Sequence, residues 1–352
     1  MFRHTESKKR SFLPFVLLRL CLSFVMFLLL GLLAYQAFLY FSGVGNGDLF
    51  KMVDQIKNDP KGFVTTLTNF NEATKLLSGS WGVKLPPGST PADEGEPEMA
   101  EVTPSGNIIL KFALVADSHN DNENLSEALK SARDGGVKFA IGLGDYTNTG
   151  TIKELEEAKT VFDNSSLPYY VTAGDHDLWD ARDKTASAVI NFNQVFKSPN
   201  QTFIDSGIRF VIVFNADNYE GIDSLQMAWL KEILGEKSRS SKNTFVFLHE
   251  ALMHPSSDRF MGSAVKDEEK GGEANKIIAG QAQTLIQVFK DAGVSEVFAG
   301  DIHAYSRYSD PKTGLKMTTV GALTSERNLE KPSFVIVDVY ENGGYNVSKV
   351  EI

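Results

Sequence analysis

Short apolar runs punctuate the chain from residue 107 to its end. "IILKFALVA" at 108–116, "VKFAIGLG" at 137–144, "LPYYVTAG" at 167–174, "IRFVIVFNA" at 208–216, "TFVFLH" at 244–249, "EVFAG" at 296–300 and "SFVIVDVY" at 333–340 read as buried strands. Between several of them the apolar positions switch to helical spacing, over 122–133, 152–162, 184–196, 224–234 and 274–292. Strands alternating with helices predict a layered α/β domain with a largely buried sheet. The hairpin-like "FIDSGIRFVIVF" and closing strands at 316–319 and 345–350 add antiparallel pairing, so the sheet is expected to be mixed.

Before residue 107 the pattern differs. Residues 20–41 carry no charge over 22 positions, and a helix of that length spans about 33 Å, enough to cross a bilayer. Five bases against one acid precede it in residues 1–19. The positive-inside rule then predicts a cytoplasmic tail at 1–19, a transmembrane signal anchor at 20–41 and everything beyond on the extracytoplasmic face. A cleaved signal peptide is the competing reading, although no A-x-A site follows the run. Residues 42–83 carry two amphipathic patterns broken at Pro60 and read as a helical membrane-proximal segment, and 84–106, rich in Pro, Gly and Glu, reads as a linker to the domain at 107–352.

Charge and cysteine content narrow the chemistry. Beyond residue 19 the chain holds 30 bases against 44 acids, a balance that argues against nucleic-acid binding. Cys21, inside the apolar span, is the only cysteine. The domain therefore has no thiolate for catalysis or metal binding, and oxygen and imidazole ligands must serve.

Those ligand types gather at the ends of the expected strands: "ADSHND" (Asp117, His119), "GLGDYTN" (Asp145, Asn148), "AGDHD" (Asp175, His176, Asp177), "FLHEAL" (His249) and "AGDIHAYSR" (Asp301, His303). Loops at carboxyl ends of strands are the usual ligand position in α/β sheets. Singly each histidine is better explained as structural or incidental; four at equivalent positions point to a site. Glycines 144, 174 and 300 precede the acidic residues and are expected to let the chain turn there. Carboxylates with imidazoles suit Mn²⁺, Fe, Zn²⁺ or Mg²⁺ in an open hydrolytic site, where two ions can clamp a phosphoryl displacement.

The ordered series D-x-H, G-D, G-D-H-D, H and G-D-x-H resembles the calcineurin-like metallophosphoesterase superfamily over residues 107–352. The resemblance implies two mixed β-sheets in a sandwich flanked by helices, with two divalent ions, Mn²⁺ foremost and Fe, Mg²⁺, Ca²⁺ or Zn²⁺ as alternatives. It implies that Asp117, His119 and His303 hold the first ion, that Asp145 bridges both, and that Asp175, His249 and Asp301 serve the second. His176 would meet the reacting phosphate with Asp177 orienting its ring, while a hydroxide between the ions attacks phosphorus in line. The substrate class would be a phosphorylated small molecule or an envelope phosphoester, monoester or diester.

Two positions depart from the superfamily pattern: Asp175 stands where it has Asn, and Asp301 where it has His. Four carboxylates would formally cancel two divalent cations, favouring harder ions and weakening the attraction for phosphate. A catalytically weak, membrane-anchored binding module is therefore the rival expectation to a hydrolase. Other residues have two readings each. His254 competes with His249 as ligand; Asn120 and Asn148 touch substrate or cap helices; Arg307 and Arg327 meet a phosphate or pair at the surface; Trp179 walls the pocket or packs in the core. Nothing in the sequence speaks to oligomeric state.

Overall fold

Side chains along β1 (Ile108–Val115) alternate between two cores, which fixes the layering of the molecule. Ala113 and Val115 pack with helices, whereas Leu110, Phe112 and Leu114 pack against a second sheet. The computed structural model describes residues 102–352, apart from 183, 186, 236–240, 264–272 and 329. The expected tail, apolar span and membrane-proximal segment lie outside the described residues, as does most of the linker. Among the described residues no helix is long and apolar enough to cross a membrane.

The first sheet has five strands in the order β11-β10-β1-β2-β3, comprising β1, β2 (Phe139–Gly142), β3 (Tyr169–Val171), β10 (Ser333–Tyr340) and β11 (Tyr345–Glu351). β1, β2 and β3 run parallel, and β10 and β11 add antiparallel pairs. The second has six in the order β4-β5-β6-β7-β9-β8: β4 (Gln201–Asp205), β5 (Ile208–Ile212), β6 (Asn243–Phe247), β7 (Glu296–Ala299), β8 (Ser306–Ser309) and β9 (Lys316–Thr319). Its four middle strands are parallel and the two edge strands antiparallel. The expected mixed pairing thus falls into two sheets, as the resemblance implied.

Phenylalanines fill the space between the sheets. Phe112 of the first meets Phe210 of the second edge-on with centroids 5.2 Å apart, and Phe139 meets the same ring at 5.2 Å. Outside the first sheet lie α1 (Asn122–Asp134), α2 (Ile152–Asn164) and α4 (Ile190–Phe196), and outside the second α5 (Ser224–Ile233) and α6 (Glu273–Asp291). The helix expected over 184–196 forms only from Ile190, as α4, with a separate short α3 (Trp179–Arg182) ahead of it. Thr185 explains the break: its hydroxyl donates to the carbonyls of Ala181 and Ser187 and so competes with continued helical bonding.

Candidate metal centre

Where the parallel strands end, the backbone turns left-handed at residues that are not glycine. Asp117, His119, Asn120, Asp145, Asp301 and His303 all have φ between 45° and 65°. Each such residue costs on the order of 1 kcal/mol or more and persists only where its surroundings enforce it. Here the loops after β1 and β2 lace together: Asp117 N–H donates to Gly144 O at 3.1 Å, His119 to Asp145 O at 2.9 Å and Asn120 to Tyr146 O at 2.9 Å.

The three glycines do different work from what the sequence suggests. Only Gly144, at φ 101°, is left-handed. Gly174 and Gly300 provide space: a Cβ on Gly174 would collide with the Asp145 carboxylate, and one on Gly300 would press Asp117 Oδ2 at 3.1 Å.

The ligand side chains converge from both sheets. Asp117, His119 and His303 form one group whose candidate ligand atoms lie within 4.8 Å of one another; Asp117, Asp145 and His249 form a second, and Asp175, His249 and Asp301 a third. His119 Nε2 faces His303 Nε2 at 3.2 Å and Asp145 Oδ2 at 3.5 Å, while His249 Nε2 lies 3.5 Å from Asp145 Oδ1 and 3.7 Å from Asp175 Oδ1. Asp145 Oδ2, Asp175 Oδ1 and His249 Nε2 are buried with no hydrogen-bond partner among the described residues. Buried polar atoms are rarely left this way, and divalent cations between them satisfy all three. The residues therefore fit the two-ion centre that the resemblance implies.

Their surroundings fix which ring atom is offered. His249 Nδ1 pairs with Leu143 O at 2.8 Å and His303 Nδ1 with Arg327 O at 3.4 Å, leaving Nε2 of each for the centre. Burial, then the neighbouring imidazoles and Arg327, push His119 down to about 3, so it is neutral and ready to ligate. Burial raises Asp117 and raises Asp145 further. Burial works against charge on His249, but the carboxylates led by Asp145 and Asp175 raise it well above the ordinary imidazole value. Protons thus occupy the charge balance that cations would take.

His176 sits beside this cluster, grouped with His119 and Asp145. Its ring stacks on Trp179 with centroids 3.7 Å apart, which places Trp179 at the site rather than in the core. The expected support from Asp177 is absent. His176 Nδ1 pairs instead with the carbonyl of Asn148 at 2.9 Å. Asp177 turns inward and accepts from Asp145 N–H at 2.9 Å, Gly174 N–H at 3.0 Å and both the N–H and hydroxyl of Thr147. It is a buried brace for the loop that carries Asp145, and burial pushes its carboxyl up to about 6.

Arg307 also departs from expectation. Its guanidinium forks onto buried Glu296 at 3.0 and 2.9 Å, at the start of β7, whereas the ligands follow the end of that strand. An unpaired Glu296 would be costly in the core, so the arginine is spent there. Asn120 gives its amide to Glu154 at 2.8 Å, and Asn148 serves through its backbone. His254 stacks edge-on against Tyr308, which leaves His249 as the histidine in the cluster.

Three contributors escape sequence reading. Asn215 Oδ1 accepts from the N–H groups of His249 and Glu250 and so sets that strand end. Asn218 donates to Asp175 Oδ2 at 3.1 Å. Arg259 donates to Asp301 Oδ1 at 2.5 Å. The asparagines follow β5, a strand-end position like the others, and that placement was the available signal. Arg259 lies in an irregular segment with none.

Beside the centre a groove of about 840 Å³ runs between the α3–α4 segment and residues 217–229, with Arg182, Tyr219 and Trp229 on its walls and Asn193, Asn200 and Gln226 among its lining. A family model described as calcineurin-like phosphoesterase matches residues 110–305, which include every ligand from Asp117 to His303. No curated protein matches. Among solved structures, purple acid phosphatase PPD1 from yellow lupin seeds is similar with a TM-score of 0.51 and 12% identity, over 71% of this chain and 52% of that one. This chain thus spans about half of that protein's length, and the likeness is one of fold. GAP50, the anchor in the inner membrane complex of Plasmodium, is similar with a TM-score of 0.46 and 14% identity, over 70% of this chain and 85% of that one.

Proposed function

The chain belongs to the calcineurin-like phosphoesterase family, a family of phosphoester hydrolases, and from that premise we propose that it cleaves an organic phosphoester with two divalent cations held at the convergent strand ends. The observation that carries this reading is the trio of buried, unpaired ligand atoms on Asp145, Asp175 and His249, aimed into one space. Asp117, His119, Asp145 and His303 would hold the first ion, and Asp145, Asp175 and His249 the second, with Asp301 at its edge. When bound, such ions supply Lewis acidity for water and neutralise phosphate charge.

The chain's own residues then do the remaining work. Asp177 keeps the Asp145 loop in place through four hydrogen bonds. With its Nδ1–H given to Asn148 O, His176 keeps Nε2 for the substrate; burial works against its protonated form, and in that form, with a second proton taken up from solvent on Nε2, it would hand this proton to the departing ester oxygen as the P–O bond breaks. Trp179 holds that ring against rotation. The adjoining groove, lined by aromatic rings and amides together with Arg182, Asp217, Glu220 and Asp223, receives the organic part of the substrate. The oxygen-rich second site favours Mn²⁺ or Mg²⁺ over Zn²⁺. The apolar run at 20–41 supports an extracytoplasmic position for the domain, which protease protection of the membrane-inserted chain would test.

The test is an assay of the full chain on a phosphomonoester and a phosphodiester with Mn²⁺, Mg²⁺, Ca²⁺ and Zn²⁺ in turn. We expect hydrolysis that a chelator abolishes and that Asp145→Ala removes. Turnover indifferent to both would end the proposal.

A further inference from the structure

Both carboxylates that break the family pattern meet a donor from a segment the motifs do not include. Asn218 serves Asp175, and Arg259 Nη2 serves Asp301 Oδ1. The Asp301 N–H meanwhile donates to both oxygens of Asp117, at 3.2 and 3.1 Å, so the arginine is coupled to the first ion's carboxylate as well.

Charge and chemistry explain why these features occur together. Asp117, Asp145, Asp175 and Asp301 formally cancel two divalent cations, leaving no net attraction for a phosphate. Arg259 returns one positive charge. A guanidinium packs poorly against a histidine ligand, which offers it no anionic oxygen, but pairs well with a carboxylate. Asp301 uses one of five N–H donors. The Arg259 side chain is 53% exposed while that of Asp301 is 11% exposed, so the guanidinium reaches solvent while its carboxylate partner is shielded. Burial works against the Arg259 charge, and Asp301, Asp117 and Asp175 more than offset it.

We infer that Arg259 takes over part of the second cation's work: it keeps the Asp301 carboxylate as its own counter-ion and offers its remaining N–H groups to the substrate phosphate. Asp301 is then an anchor for the arginine more than a metal ligand, and the second ion is held chiefly by Asp145, Asp175 and His249. The inference rests on the phosphoesterase reading.

The experiment measures ion binding by titration calorimetry and elemental analysis, and inorganic phosphate binding to the Mn²⁺-loaded full chain, without turnover. Arg259→Met should tighten the second ion about tenfold or more by freeing Asp301, and weaken phosphate by a similar factor. Arg259→Lys should recover part of the phosphate binding. Asp301→Asn should leave second-ion affinity within about threefold while weakening phosphate, because the arginine loses its anchor. Unchanged phosphate binding in Arg259→Met, or loss of the second ion beyond about tenfold in Asp301→Asn, would overturn the inference. Should Arg259→Met not fold, the lysine and Asp301→Asn arms decide. In either overturning case a wild-type chain that binds ions and phosphate leaves the phosphoesterase reading standing; a wild-type chain that binds no ion removes both.

Discussion

His176 is tied down at one ring nitrogen and one ring face, by Asn148 O and Trp179, with its other nitrogen left for substrate. Because it is not required to hold an ion, His176→Ala should lower kcat by about 10²- to 10⁴-fold while metal content stays at wild type. Loss of metal in that variant would reassign it as a ligand. Gly174→Ala should act the other way round. Its Cβ has no room beside the Asp145 carboxylate, so elemental analysis should find bound metal reduced and activity lost with it. The convergence of these side chains was legible in the sequence, since Asp117, His119, Asp145, Asp175, His249, Asp301 and His303 each follow a run that folds as a strand. Asp177 was misassigned because adjacency in sequence says little about direction. His176–Leu178 forms a 3₁₀ turn, and at three residues per turn neighbouring side chains point about 120° apart. Arg259 was invisible because its partner lies 42 residues away in sequence, and Asn218, 43 residues from its own, offered only its strand-end position.

Among the elements, α2 has the most informative start. Thr151 and Glu154 form a reciprocal cap, and Glu154 also accepts from Thr149 at 2.6 Å and from Asn120 at 2.8 Å, which ties the helix to the first metal loop. Burial opposes the Glu154 charge, yet the Thr149, Asn120 and Thr151 hydrogen bonds bring its carboxyl down to about 2. A carboxyl depressed on folding stabilises the fold above its unfolded value of 4.5, and that contribution is lost as pH falls toward 2. Glu154→Gln should therefore lower the thermal midpoint at pH 7, and the gap to wild type should narrow as the pH drops below about 4.5. A gap constant from pH 7 to pH 3 would contradict the assignment. Strand positions were readable wherever both faces are buried, as in β1, β6, β7 and β10. β8 was not. Its four residues, "SRYS", alternate between half-buried and exposed at a sheet edge, where a short polar strand carries no hydrophobic signature.

For the molecule as a whole, the centre joins the two sheets through polar side chains, as the Gln201–Val171 O and Lys138–Asp205 contacts do elsewhere. Asp117, Asp145 and Asp175 come from the first sheet, and His249, Asp301 and His303 from the second. Without ions, burial raises Asp117 and Asp145 above their ordinary value of 3.8. A carboxyl raised on folding contributes stability that is present below about 4 and is lost as pH climbs through the raised value. These two carboxyls should make the chelated protein lose stability as pH rises above their ordinary value, and saturating Mn²⁺ should flatten their contribution by replacing protons with cations. A chelated form with a flat profile would mean that the carboxylates are compensated within the chain. The ring-on-ring interior between the sheets resists separation through its area but opposes sideways slippage weakly, because apolar contact is non-directional. Divalent ions held there would be bonded to both plates at one margin and would act as a rivet. Without that rivet the fold would still be held by its apolar interior, and the first thing lost would be the alignment of His176 and Arg259, not the architecture.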